Sequence, residues 1–140
     1  MTTTALSPER PVEPVSTKKV WPGRILSGLA VAFLLFDVAI KLAATPEVLA
    51  GHETLGFPGS LARTLGAVLL TCVVTYVIPR TSFLGAILLT GYLGGAIATH
   101  VRVGNPLFSH VLFPVYVAAF VWGGLYLRDA RLRELLSGRR

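Results

Sequence analysis

In 140 residues the chain carries 53% hydrophobic and only 14% charged residues, with a formal net charge of +6. A mean hydropathy of +0.66 excludes an ordinary water-soluble domain, and the length holds one domain of about four membrane spans of about 20 residues each. The basic residues gather at the two ends and are not interleaved with aromatics, which argues against nucleic-acid binding and for charged flanks of membrane spans.

Residues 1–19 are rich in Thr, Ser, Pro and Glu and lack apolar periodicity, which predicts a disordered tail. Residues 25–44 predict the first span, anchored by Lys18, Lys19, Trp21 and Arg24 and stopped by Pro46. A cleaved signal peptide is the rival reading, but the long leader and the charges that follow the apolar run argue against it. The connection 45–61, without Lys and with Glu47, His52 and Glu53, predicts an interfacial loop. Residues 62–78 predict a short second span, entered near Arg63 and closed by Pro79. The tight turn after it makes the third span, 83–101, its antiparallel neighbour. In that span Gly91 with Gly95, and Gly94 with Ala98, are small-xxx-small pairs. They predict the most crowded helix contact, either within the chain or toward a protein partner or second copy. Residues 107–127 predict the fourth span, and Pro114, unable to donate to the carbonyl of residue 110, predicts a kink in it. The tail 131–140 is basic, and the spacing of Leu132, Leu135 and Leu136 predicts a short amphipathic helix on anionic lipid.

Lys and Arg set the orientation of such a chain. The N-terminus, the second connection and the C-terminus hold ten of them, whereas the first and third connections with their flanks hold only Arg63 and Arg102. The expected architecture is therefore an all-α, antiparallel bundle of four transmembrane helices with both termini cytoplasmic. At a rise of 1.5 Å per residue, Lys41 then lies about 4–5 Å inside the outer edge of the first span and Asp37 about 10 Å inside it. Arg63, His100, Arg102 and His110 fall toward the same side, and these six residues form the candidate polar cluster.

A charge at the centre of a bilayer costs about 2.5–3.5 kcal/mol on insertion scales, so Asp37 and Lys41 mark either a site or a structural brace. Their i, i+4 spacing with the acid first is the favourable order for an ion pair on one face. His100 and His110 could ligate haem from two helices, or a metal together with Asp37, but two histidines without a cysteine or a regular spacing single out neither. No cofactor or metal site is predicted, haem and quinone being the alternatives weighed. Cys72, the only cysteine, sits in an apolar run and can form no internal redox pair. No phosphate loop, nucleophile elbow or acid pair is visible, and no catalytic residue is assigned.

The glycine-rich stretch 85–102, followed by Phe108-Ser109-His110-Val111-Leu112-Phe113-Pro114, resembles the DoxX-like family of small bacterial integral membrane proteins. Asp37 with Lys41, Leu55-Gly56-Phe57-Pro58, Ile78-Pro79-Arg80-Thr81 and Gly123-Gly124-Leu125-Tyr126-Leu127-Arg128 carry the same resemblance, which covers roughly residues 20–130. It implies a four-helix membrane protein. Relatives in the wider family are linked to membrane oxidoreductase complexes, including a thiosulfate:quinone oxidoreductase, and to oxidative-stress handling. The expected function is a non-catalytic partner of such an assembly, with a quinone- or small-solute-binding protein as the alternative. With one cysteine and no cofactor motif, the chain departs from a self-sufficient redox enzyme.

Overall fold

The structure, a computed structural model, describes residues 17–138, and all regular structure among them is helical. In chain order it contains α1 (Thr17–Ala43), α2 (Pro46–Thr54), α3 (Leu61–Val77), α4 (Ser82–Arg102), a π-helical turn (Leu107–Val111), α5 (Phe113–Arg128) and α6 (Ala130–Ser137). Three stretches, Thr17–Ala43, Ser82–Arg102 and Leu107–Arg128, are long and apolar enough to cross a membrane, and α3 is apolar but shorter at 17 residues.

The long helices close into a ring in which α1 packs on α3 and α5, and α4 packs on α3 and α5. Its interior holds Leu34, Leu69, Val73, Leu89, Val121 and Leu125, all at most 2% exposed. The outside is apolar as well: Ile25, Leu29 and Phe36 on α1 are each more than half exposed. A surface of that kind belongs in lipid, where tails are as apolar as leucine and helices associate through close packing and interhelical hydrogen bonds.

Close backbone approach occurs at glycines other than the predicted ones. A Cβ on Gly85 would run into the backbone of Tyr76, one on Gly124 into Ser27, and one on Gly23 would stand 2.9 Å from the Gly124 carbonyl oxygen. At Gly91, Gly94 and Gly95 a Cβ would meet nothing within 4 Å, and Ala98 is exposed. The crowded contacts thus lie where α3 turns into α4 and where α1 crosses α5. The first of these is held by the turn, where Ser82 Oγ donates to the carbonyls of Tyr76 (2.8 Å) and Ile78 (3.0 Å) and ties the start of α4 to the end of α3.

Three expectations about local structure change. The connection 45–61 holds α2, a helix with Thr45 as N-cap, Pro46 at its start and Glu47 in its first turn, a favourable order of residues for a helix N-terminus. At Pro114 there is no kink within a continuous helix. The π turn ends at Val111, with the N–H of Leu112 bonded to the carbonyl of Leu107 at 2.9 Å, and α5 starts afresh with Pro114 in its first turn, where a missing N–H costs nothing. The tail expected over 1–19 lies outside the described residues except for Thr17, Lys18 and Lys19, which open α1.

The last helix, α6, forms as the leucine spacing predicts, with Leu132 buried and Leu135 and Leu136 exposed. Asp129 caps it by accepting from the Arg131 N–H at 2.9 Å. Burial raises the Asp129 carboxyl pKa, but the hydrogen bonds and charge of Arg131 outweigh that and hold it below the usual carboxylate value.

Candidate functional site

A cavity of about 460 Å³ opens inside the ring at the end roofed by α2. The walls are mostly apolar: Phe33 and Leu34 from α1, Leu65 from α3, Leu93 from α4 and Val117 from α5. Phe33 and Phe113 meet edge to face across it, ring centroids 5.1 Å apart. Gly91 and Gly95 line it too, and the open space over them is part of the cavity itself. The polar side chains that line it are Asp37, Lys41, His52, Tyr92, Thr99 and His100.

Asp37 and Lys41 form an ion pair along α1, with 25% and 16% of their side chains exposed. Gly66 lets α3 approach α1 closely behind this pair, since a Cβ there would stand 3.0 Å from the Lys41 Cβ. Each side chain neutralises the other, and the pair faces the cavity without a net charge.

The two histidines offer opposite hydrogen-bonding character. The buried His52 has its Nδ1 2.8 Å from the Val48 carbonyl. A carbonyl only accepts, so Nδ1 carries the proton and Nε2 of the neutral ring is an acceptor. His100 has its Nδ1 2.8 Å from the Asn105 amide nitrogen. That nitrogen only donates, so the proton of the neutral His100 ring is on Nε2, which is a donor. Two histidines of opposite tautomer thus stand among the residues that line one mostly apolar cavity.

Of the six residues expected to cluster, the cavity is lined by Asp37, Lys41 and His100. The other three do different work. Arg102 is exposed and its guanidinium donates to the carbonyl of Leu55, so it ties the end of α4 to the turn after α2. His110 is exposed, bonded through Nδ1 to Ser109 Oγ at 2.7 Å, and stands edge-on to His100 with centroids 5.7 Å apart. Arg63 is exposed on α3 and does not line the cavity.

Two polar lining residues, Tyr92 and Thr99, escape the sequence reading, and His52, expected in a loop above the cluster, lines the cavity from a helix. His52 would have been found from Thr45-Pro46-Glu47 as a helix start, which puts a helix where a loop is expected. Tyr92 shares four-residue spacing with Ala96 and His100 on one face of α4. Among the described residues, no group of three or more His, Cys, Asp or Glu is placed to hold a metal ion.

The sequence pattern of the DoxX-like family matches residues 25–124. The chain belongs to the DoxX-like family. The matched region runs from the first turns of the α1 span through most of α5, so in this DoxX-like protein it includes every residue of the cavity. No curated protein and no solved structure matches the chain. With apolar helices facing outward, this DoxX-like chain is a membrane protein.

Proposed function

We propose that this DoxX-like protein binds a small, mostly apolar molecule with a polar head in the cavity beneath α2. The observation that supports the reading is the cavity of about 460 Å³ with aromatic and aliphatic walls, into which a donor histidine, an acceptor histidine and a neutralised ion pair converge. Sites of about 300–1,000 Å³ with apolar walls and a few convergent polar groups are the usual form of small-molecule pockets. A quinone, or a solute of similar size, lays its ring against Phe33 and Phe113 and its oxygens against His52 and His100. The role is binding, with no catalytic residue assigned.

In this reading the protein crosses a bacterial inner membrane four times with both termini in the cytoplasm. The fourth crossing is α3, about 26 Å long at 1.5 Å per residue, which a modest local thinning of a core of about 30 Å accommodates. A second reading, a non-catalytic subunit of a membrane redox assembly, is favoured by Gly94 and Ala98, exposed on α4 with room over Gly94 for a partner helix.

The test uses Gly91→Leu and Gly95→Leu, which place side chains in open cavity space. Mass spectrometry of the protein purified in mild detergent is expected to find a small molecule with the parent and none with either variant, at an unchanged melting temperature. Equal retention by parent and variants rejects the cavity as the site.

A further inference from the structure

The opposite end of the ring carries a second cleft, of about 260 Å³, lined by Arg24, Ser27, Gly28, Val31, Tyr76 and Arg128 among others. We propose that it holds the phosphate of an anionic phospholipid, with the first part of an acyl chain lying in the groove between α1 and α3. This goes beyond the cavity beneath α2 and does not depend on it.

The charge pattern comes first. Two arginines line the cleft and no carboxylate does. Among the described residues neither Arg24 nor Arg128 has an acidic partner within 4.0 Å, and the carboxylate next in sequence, Asp129, is engaged by Arg131. An arginine pair without counter-ions, Arg24 just before the apolar run of α1 and Arg128 at the last residue of α5, sits at the depth of lipid headgroups. Guanidinium forks suit phosphate oxygens, to which they bind in bidentate fashion.

The geometry of Arg128 is fixed in advance. Its Nε donates to Ser27 Oγ at 3.1 Å, and its guanidinium carbon lies 5.1 Å from the centre of the Tyr76 ring. Tyr76 Oη gives its single proton to the Val121 carbonyl at 2.8 Å, so Ser27 must donate to Tyr76 across their 2.8 Å contact. The chain of donors runs one way, from Arg128 through Ser27 and Tyr76 to Val121. It occupies Arg128 Nε and leaves the four N–H groups of its two terminal nitrogens without a partner among the described residues. Arg24 is positioned less firmly, by Trp21, whose ring centre is 6.0 Å from its guanidinium carbon.

The groove leading inward is apolar and open. From Arg24 to Val31 is seven residues, about 10 Å along the helix axis. A Cβ on Gly28 would meet nothing within 4 Å, so this level of α1 has space for methylene groups beside Val31 and Val77. A free phosphate would use the arginines alone, whereas a lipid uses the arginines and the groove.

The experiment is native mass spectrometry of the full-length protein in mild detergent with equimolar phosphatidylglycerol and phosphatidylcholine. The parent is expected to retain phosphatidylglycerol in preference, and Arg24→Gln to lower that retention about fivefold, the worth of one basic residue at an anionic surface. Gly28→Leu, which fills the groove without touching either arginine, is expected to lower it comparably while the melting temperature holds. Should parent and both variants retain phosphatidylglycerol equally, or should the two lipids bind alike, the proposal is overturned. If Gly28→Leu is silent and excess inorganic phosphate displaces the lipid, the cleft is a free-phosphate site and the lipid assignment fails.

Discussion

Removing one member of the Asp37–Lys41 pair leaves the other charge half-buried with no counter-ion, whereas removing both leaves none. The two operations separate a brace from a binding group. Breaking a fully buried pair costs about 3–5 kcal/mol, and the partial exposure of this pair places Asp37→Leu and Lys41→Met below that range. The double variant Asp37→Leu/Lys41→Met is expected to regain most of the melting temperature in detergent. If it is as unstable as the worse single variant, the pair does more than neutralise itself. The i, i+4 spacing made this interaction legible in the sequence, because it lies within one helix. Three other members of the expected cluster were grouped by depth alone. Depth in a membrane does not fix the direction of a side chain about its helix axis, which is why Arg63, Arg102 and His110 could be expected on the side of Lys41 without lining the cavity.

Among elements, small residues carry the main ambiguity. Gly85 and Gly94 look alike in sequence, but one faces the Tyr76 backbone and the other open space. Gly85→Ala is expected to destabilise by about 1–3 kcal/mol through overpacking, with Gly94→Ala neutral or slightly stabilising, as read by thermal unfolding in detergent. A destabilised Gly94→Ala would show that the glycine face already carries a partner. The limits of α3 and α4 were readable to within a residue, because apolar runs and prolines mark them, whereas α1 starts eight residues before the expected 25 and α5 six residues after the expected 107. The start of α2 was written in Thr45, Pro46 and Glu47, but its length of 9 residues gives no apolar periodicity strong enough to separate it from a loop. At the opposite extreme, the π turn before α5 leaves no signature beyond Pro114, since a kink and a fresh helix start both satisfy a missing N–H.

For the whole molecule, most of the basic residues lie at the end opposite the cavity, Lys41, Arg63 and Arg102 being the exceptions. Arg24, Arg80, Arg128 and Arg131 belong to the end where α1 begins and α5 finishes, and Arg131 also reaches the Pro79 carbonyl at 3.3 Å. Reporters that fluoresce only in the cytoplasm are expected to be active at both termini, and one inserted after Gly104 to be silent. An active reporter at 104 would reverse the assignment or remove a crossing. The donor chain from Arg128 to Val121 bolts α1, α3 and α5 together at the basic end, whereas the roof over the cavity is held by the packing of α2 on α3 and by Arg102 on the Leu55 carbonyl. A ligand bound as proposed beneath α2 therefore sits at the rim that this donor chain does not reach, and the two clefts answer to different sets of residues.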